Sequence, residues 1–162
     1  MSAYALQNGL FAALSEVSEA SLTADFLTED YTLTTVEIAK AVAYLRDNVI
    51  GIYDNPAQVA DPASDAAFPF ITLSGGTSQP WDTDLDRGDE AIAEIHVWSR
   101  ASNSLEAKEI QDAIYSVLHR GTIVISGSVF IGSDYMTQTV QRDPDGITRH
   151  GVQEFRIIYE EA

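Results

Sequence analysis

The sequence predicts an α/β (α+β) fold, a single domain over residues 1–162 in which two or three helices pack on a mostly antiparallel or mixed sheet. Three observations predict it. Apolar residues recur at helical spacing in three places, Leu6-Leu10-Leu14, Ile38-Ala41-Val42-Leu45 and Ile110-Ile114-Val117. Apolar and polar residues alternate with period two elsewhere, most regularly over Gly88 to Trp98 and Val152 to Tyr159. Finally, 162 residues at 45% hydrophobic content suffice for one core, and no repeat or low-complexity run divides the chain.

The elements follow in order. Ala3 to Glu16 carries Leu6, Leu10, Ala13, Leu14 and Val17 on one stripe and predicts an amphipathic helix. Ser18 to Thr34 loses that pattern and reads as a loop or irregular extension. Thr34-x-x-Glu37 has the form of a capping box, so a second helix is expected from Thr34 to about Asn48. Val49 to Tyr53 is a short strand closed by Asp54-Asn55-Pro56, and the Ala/Asp/Pro-rich stretch to Ala67 is a surface loop. Phe68 to Leu73 is the next strand, stopped by Gly75-Gly76. In Gly88 to Trp98, Ala91, Ala93, Ile95 and Val97 share the core face, and Ile92, Glu94, His96 and Trp98 the other.

Asn103-x-x-Glu106 has the same capping form, and Ala107, Ile110, Ile114, Val117 and Leu118 mark the buried side of a third helix ending near His119-Arg120-Gly121. Thr122 to Ser126 and Ser128 to Gln141 read as strands around Gly127. Asp143-Pro144-Asp145-Gly146 then predicts a tight turn with a bulge: Pro144 sets φ and Gly146 tolerates a positive one. The closing strand puts Phe155, Ile157 and Tyr159 on one face and Glu154, Arg156 and Glu160 on the other.

Composition excludes whole classes of chemistry. There are no cysteines, so disulfides, Cys-based zinc sites, iron–sulfur clusters and thiol catalysis are out. Against 25 Asp plus Glu stand 9 Lys plus Arg, a net charge of −16, which repels phosphate backbones and disfavours stable nucleic-acid binding. The first residues show no basic segment followed by an apolar run, and no window approaches membrane-spanning length, so a soluble, unsecreted chain is expected.

Local motifs for catalysis or metal binding are weak. Asp82-x-Asp84-x-Asp86 resembles a calcium loop, but Arg87 stands where an EF-hand needs glycine, Ala93 where it needs glutamate, and a strand follows where a helix is required. A solvated acidic loop is the expectation, and a calcium-dependent module an alternative that calorimetry would test. His96, His119 and His150 are too far apart in sequence for a local metal signature, although folding can bring two together. His96 reads as a half-buried strand residue, His119 as a residue served by a helix C-terminus, and His150 as a contact at the hairpin exit. No nucleophile elbow, Walker loop or dinucleotide fingerprint is present, and Ser74-Gly75-Gly76-Thr77-Ser78 lacks the lysine and helix start of a phosphate cradle. Asp143 and Asp145 are explained as turn formers, and a small hydrolase has only scattered Asp, His and Ser behind it.

Several segments, taken in order, carry a family resemblance. They are Ile52-Tyr53-Asp54-Asn55-Pro56, Phe68-Pro69-Phe70-Ile71, Ile95-His96-Val97-Trp98-Ser99, the helix Ala107 to Leu118, and Arg142-Asp143-Pro144-Asp145-Gly146 through His150-Gly151-Val152. Over roughly residues 50 to 160 the chain resembles the tail terminator, or tail completion, proteins of long-tailed bacteriophages and gene transfer agents. Residues 15–50 exceed the family pattern and read as a family-variable extension with an extra helix.

The resemblance implies a structural virion protein with no enzymatic activity and no cofactor or metal. It would be made in the bacterial host cytoplasm and sit at the head-proximal end of the tail as a homo-oligomeric, hexameric ring. There it would touch the tail tube protein and the head–tail connector or head-closure protein, with DNA passing through the lumen unbound. The same class includes a head-closure or tail-tube subunit as the alternative. Within this reading Asp82, Asp84, Asp86, Asp143, Asp145, Arg149 and His150 are the expected interface residues, with Arg149 and Arg156 pairing acids across subunits.

Overall fold

The computed structural model describes residues 3–15, 31–54, 64–83 and 86–162. In chain order they form α1 (Ala3–Ser15), α2 (Tyr31–Asn48), β1 (Ile52–Tyr53), a short 3-10 turn (Asp65–Ala67), β2 (Phe70–Pro80), β3 (Gly88–Ser99), α3 (Leu105–Leu118), β4 (Ser128–Arg142) and β5 (Arg149–Glu161). The sheet runs β1-β2-β3-β5-β4, parallel between β1 and β2 and antiparallel elsewhere. The expected α+β class is therefore what forms. No helix among the described residues is long and apolar enough to cross a membrane.

One apolar core joins the helices to one face of the sheet. Leu6, Leu10 and Leu14 of α1, Val42 and Leu45 of α2, and Ile110, Ile114 and Leu118 of α3 bury the stripes read from the sequence. They meet Ile71 and Leu73 of β2, Ala91, Ala93, Ile95 and Val97 of β3, and Phe155, Ile157 and Tyr159 of β5. Because side chains alternate along a strand, the partners of these residues in β3 and β5 face the other side of the sheet and are half-buried. Two glutamines lie inside the core. Gln111 donates to the Thr139 and Val152 carbonyls at 3.0 and 3.3 Å, and Gln153 donates to the Gln111 carbonyl at 3.0 Å, which ties α3 to β4 and β5.

Several expectations are corrected. Helix α2 begins at Tyr31, so Thr34 is inside it and cannot cap it. Strand β1 is two residues long because Val49 still donates to the Leu45 carbonyl of α2 and Ile50 donates to Pro69. Gly75-Gly76 does not stop β2. The register slips between Ser74 and Thr77, and the strand continues to Pro80 through a bulge with Gly76 at φ +57°. Asn103 accepts from the Leu105 N–H at 2.9 Å, but Glu106 does not complete a capping box, because it accepts from the Ser99 hydroxyl.

Thr122 to Ser126 joins no sheet. Ile123 and Ile125 are buried and their neighbours exposed, as in a strand, yet none of the five N–H groups has a partner among the described residues. The segment packs on helix α1 instead: a Cβ at Gly9 would stand 2.5 Å from the Val124 carbonyl oxygen. The loop expected over 18–34 and the segment from Asn55 to Ala67 lie largely outside the described residues.

Candidate assembly surface

The expected interface residues divide between the two ends of the sheet. Strand β3 pairs with β5 from Gly88 opposite Glu160 to Ser99 opposite Arg149. The acidic loop before Gly88 and the hairpin before Arg149 are thus separated by the length of a twelve-residue strand, about 37 Å. Asp82 and Asp86 belong to one end; Asp143, Asp145, Arg149 and His150 belong to the other. Asp84 lies outside the described residues.

The acidic loop is a turn that closes on itself. Trp81 N–H donates to the Gly88 carbonyl at 2.8 Å, Asp82 Oδ1 accepts from Gly88 N–H at 3.2 Å, and the Thr83 N–H donates to the Asp86 carbonyl at 2.9 Å. One of the oxygens a calcium ion would need is occupied by the backbone. Among the described residues no group of three His, Asp or Glu could hold a metal ion.

The hairpin tip has the turn chemistry read from the sequence. Asp143 N–H donates to Thr148 O and Gly146 N–H to Asp143 O, both at 2.9 Å, with Gly146 at φ +75°. Asp145 spends its carboxylate on that turn, accepting from the N–H groups of Ile147 and Thr148 at 2.9 and 2.8 Å and from the Thr148 hydroxyl. The Thr148 hydroxyl and then these amides hold its carboxyl below the usual aspartate range. Behind the tip, Arg100 lies 4.3 Å over the Phe68 ring, pairs with Asp65 at 3.0 Å and reaches Thr148. Arg149 donates to the Ser102 carbonyl at 3.2 Å. Arg156, expected to pair across subunits, pairs with Glu90 inside the chain, its Nε 2.7 Å from the carboxylate.

On the face of the sheet turned away from the helices, an aromatic file leads back from the hairpin. Phe70 stacks near Trp98 with centroids 6.0 Å apart, and Trp98 stacks on His150 at 3.9 Å. His150 Nε2 lies 2.9 Å from His96 Nδ1, so one ring donates and the other accepts. The residues are 54 positions apart, and only the β3–β5 register brings them together. The sequence signal for this file was His96 and Trp98 at strand alternation, which shows a shared face but not its neighbours; the β2–β3 register adds Phe70. His119 stays apart; it closes the C-terminal end of α3, as expected, and its Nδ1 accepts from the Tyr135 N–H at 3.1 Å, which ties that helix end to β4.

Burial holds both histidines of the pair below the usual imidazole range. Glu94, 3.6 Å from His96, opposes the shift on His96; the charge of His96 adds to the shift on His150, and Asp143 opposes it. A group whose folded pKa is depressed contributes stability that is present above its unfolded value and lost as pH falls below it. Melting temperature should therefore drop as pH falls from 7 through about 6.5 and below, and the drop should shrink in His150→Asn. Parallel melting curves for the two proteins over that range would refute this. Farther along the same face, Glu94 and Glu154 stand directly opposite each other on β3 and β5, a like-charge pairing that costs stability.

Comparison with known proteins follows the same outline. The model of the family "Tail completion protein gp17" matches residues 42–160. The tail completion protein gp17 of Bacillus phage SPP1 is 25% identical over 96 residues, 59% of this chain and 71% of that protein. Among solved structures, a chain of the virion of a native gene transfer agent particle is 20% identical with a TM-score of 0.57, covering 88% of this chain and 90% of that one. Bacteriophage SPP1 gp17 itself is 16% identical with a TM-score of 0.45, covering 83% and 94%. The family match spans the end of α2, all of α3 and β1 through nearly all of β5, leaving α1 and the start of α2 outside it, and the chain belongs to the tail completion protein gp17 family.

Proposed function

We propose that this protein assembles as a hexameric ring on the head-proximal end of the phage tail tube, where it ends tube polymerisation and presents the surface for head–tail joining. The observation that carries the reading is the family match across residues 42–160. The layout of the sheet supports it. A ring of identical subunits uses two different surfaces of each subunit, and a part lying between tube and head connector needs two different ends. The sheet has an acidic end at Asp82 and Asp86 and a hairpin end at Asp143, Asp145, Arg149 and His150, which we assign to neighbours, tube and connector. The Glu94–Glu154 pairing suits a face that lets DNA pass through the lumen without binding, because carboxylates repel phosphates. A solved ring with a basic lumen would overturn that part.

The role is structural and involves no catalysis. A shallow hollow between α1 and β1, lined by Tyr4, Gln7, Phe11, Tyr53 and Asp54, has a volume of about 250 Å³, below the ~300–1,000 Å³ usual for small-molecule sites. Electron microscopy of particles made without this protein tests the reading. Overlong tails, or tails without heads, are expected; filled capsids joined to tails of normal length would refute it.

A further inference from the structure

Thr122–Ser126 has the composition and burial pattern of a strand but no strand beside it. Its residues are Thr-Ile-Val-Ile-Ser, Ile123 and Ile125 are buried, and Val124 is 67% exposed. Five consecutive N–H groups lack a partner among the described residues, and of the carbonyls only that of Ile125 accepts a backbone bond, from Ser128 N–H. Backbone donors in native structures are almost always paired, with protein or with water. A chain with this alternating burial and unpaired backbone, as over Thr122–Ile125 ahead of the Ser126-Gly127 turn, is a template for another strand.

We infer that Thr122–Ser126 is completed by a strand from a second copy of this chain, the outer edge of β4 over Thr137–Arg142 of the neighbouring subunit. The inference rests on the ring reading, in which one surface of a subunit meets a different surface of the next. Elimination within the described residues selects the partner. Strands β3 and β5 are paired on both sides, and β1 has two residues. Beyond its bulge, β2 offers only Thr77–Pro80, ending in a proline that cannot donate. Strand β4 is the sheet's outer strand, and after its second bulge, between Tyr135 and Thr137, it runs six residues to Arg142 in unbroken register with β5. Its two bulges, at Ile131 and Met136, interrupt the earlier part of the edge and leave this run as the regular portion.

Two measurements on assembled particles test the inference. Amide hydrogen exchange of the unaltered protein should show residues 122–126 exchanging freely in the isolated chain, with the alternate amides on the edge turned away from α1, those of Ile123 and Ile125, slowed by about 100-fold or more in the particle. Because the chain has no cysteine, Val124→Cys combined in turn with Thr137→Cys, Thr139→Cys or Gln141→Cys should give a ladder of disulfide-linked oligomers under mild oxidation. Each single variant should give none. A visible ring whose 122–126 amides still exchange freely and whose double variants do not cross-link would overturn the inference and leave the ring intact. So would cross-linking of Val124→Cys to Thr77→Cys or Gln79→Cys in place of β4. Particles carrying no ring of this protein would overturn the ring reading and the inference with it.

Discussion

Replacing Gly76 by alanine is expected to destabilise the protein by about 3 kcal/mol or more, a large share of the ~5–15 kcal/mol typical of a domain. Gly76 sits at φ +57°, where an L side chain is strained, and a Cβ there would stand 1.7 Å from the Ile92 carbonyl oxygen. That oxygen is backbone in a strand paired on both sides, so it cannot swing away as the tip of a flexible side chain could. Relief would require the β2–β3 pairing to open at the bulge. Urea unfolding of the variant against the parent measures the loss; a change below about 1 kcal/mol would show that the bulge is not built as described. Gly127→Ala is the control, because that glycine also has a positive φ but no atom within 4 Å of its Cβ position, so it isolates the backbone strain from the collision.

Phe155→Ala should cost about 3–5 kcal/mol. The side chain is fully buried at the centre of β5, in contact with the helix layer, and its ring meets Tyr135 of β4 edge-on with centroids 5.9 Å apart. The cavity would open beneath the strand that joins β3 to β4, where backbone hydrogen bonds on both sides limit collapse. Val124→Ala should change the stability of the isolated chain by less than about 0.5 kcal/mol, because that side chain is 67% exposed. Equal denaturation midpoints for the two variants would contradict the assignment of the core face.

How much was legible from sequence depends on the range of the signal. Helices α1 and α3, strands β3 and β5, and the Asp143–Gly146 turn were readable because each follows from periodicity or turn chemistry within a dozen residues. Local signals misled where a neighbour decided the outcome. Gly75-Gly76 looks like a stop, but the pairing with β3 carries the chain through it as a bulge. Thr122–Ser126 looks like a strand, but packing of Ile123 and Ile125 on the helix side takes it away from the sheet of its own chain. Thr34-x-x-Glu37 looks like a helix start, although the helix itself begins one turn earlier, at Tyr31.

The candidate site divides in the same way. The amino-acid order by itself determined the fold class, the acidity, the lack of thiol chemistry and the turn that Asp143 and Asp145 build, because these depend on composition and on neighbours along the chain. Only the tertiary structure decided that Asp82 and Asp86 stand a full strand length from Asp143 and Asp145, that Arg156 is taken by Glu90, and that His150 meets His96 and Trp98. Those relations are set by strand register. A shift of one residue would send every side chain of a strand to the opposite face, and the register is chosen by burial of Phe155, Ile157, Ile95 and Val97 together, not by any of the residues at the surface it arranges.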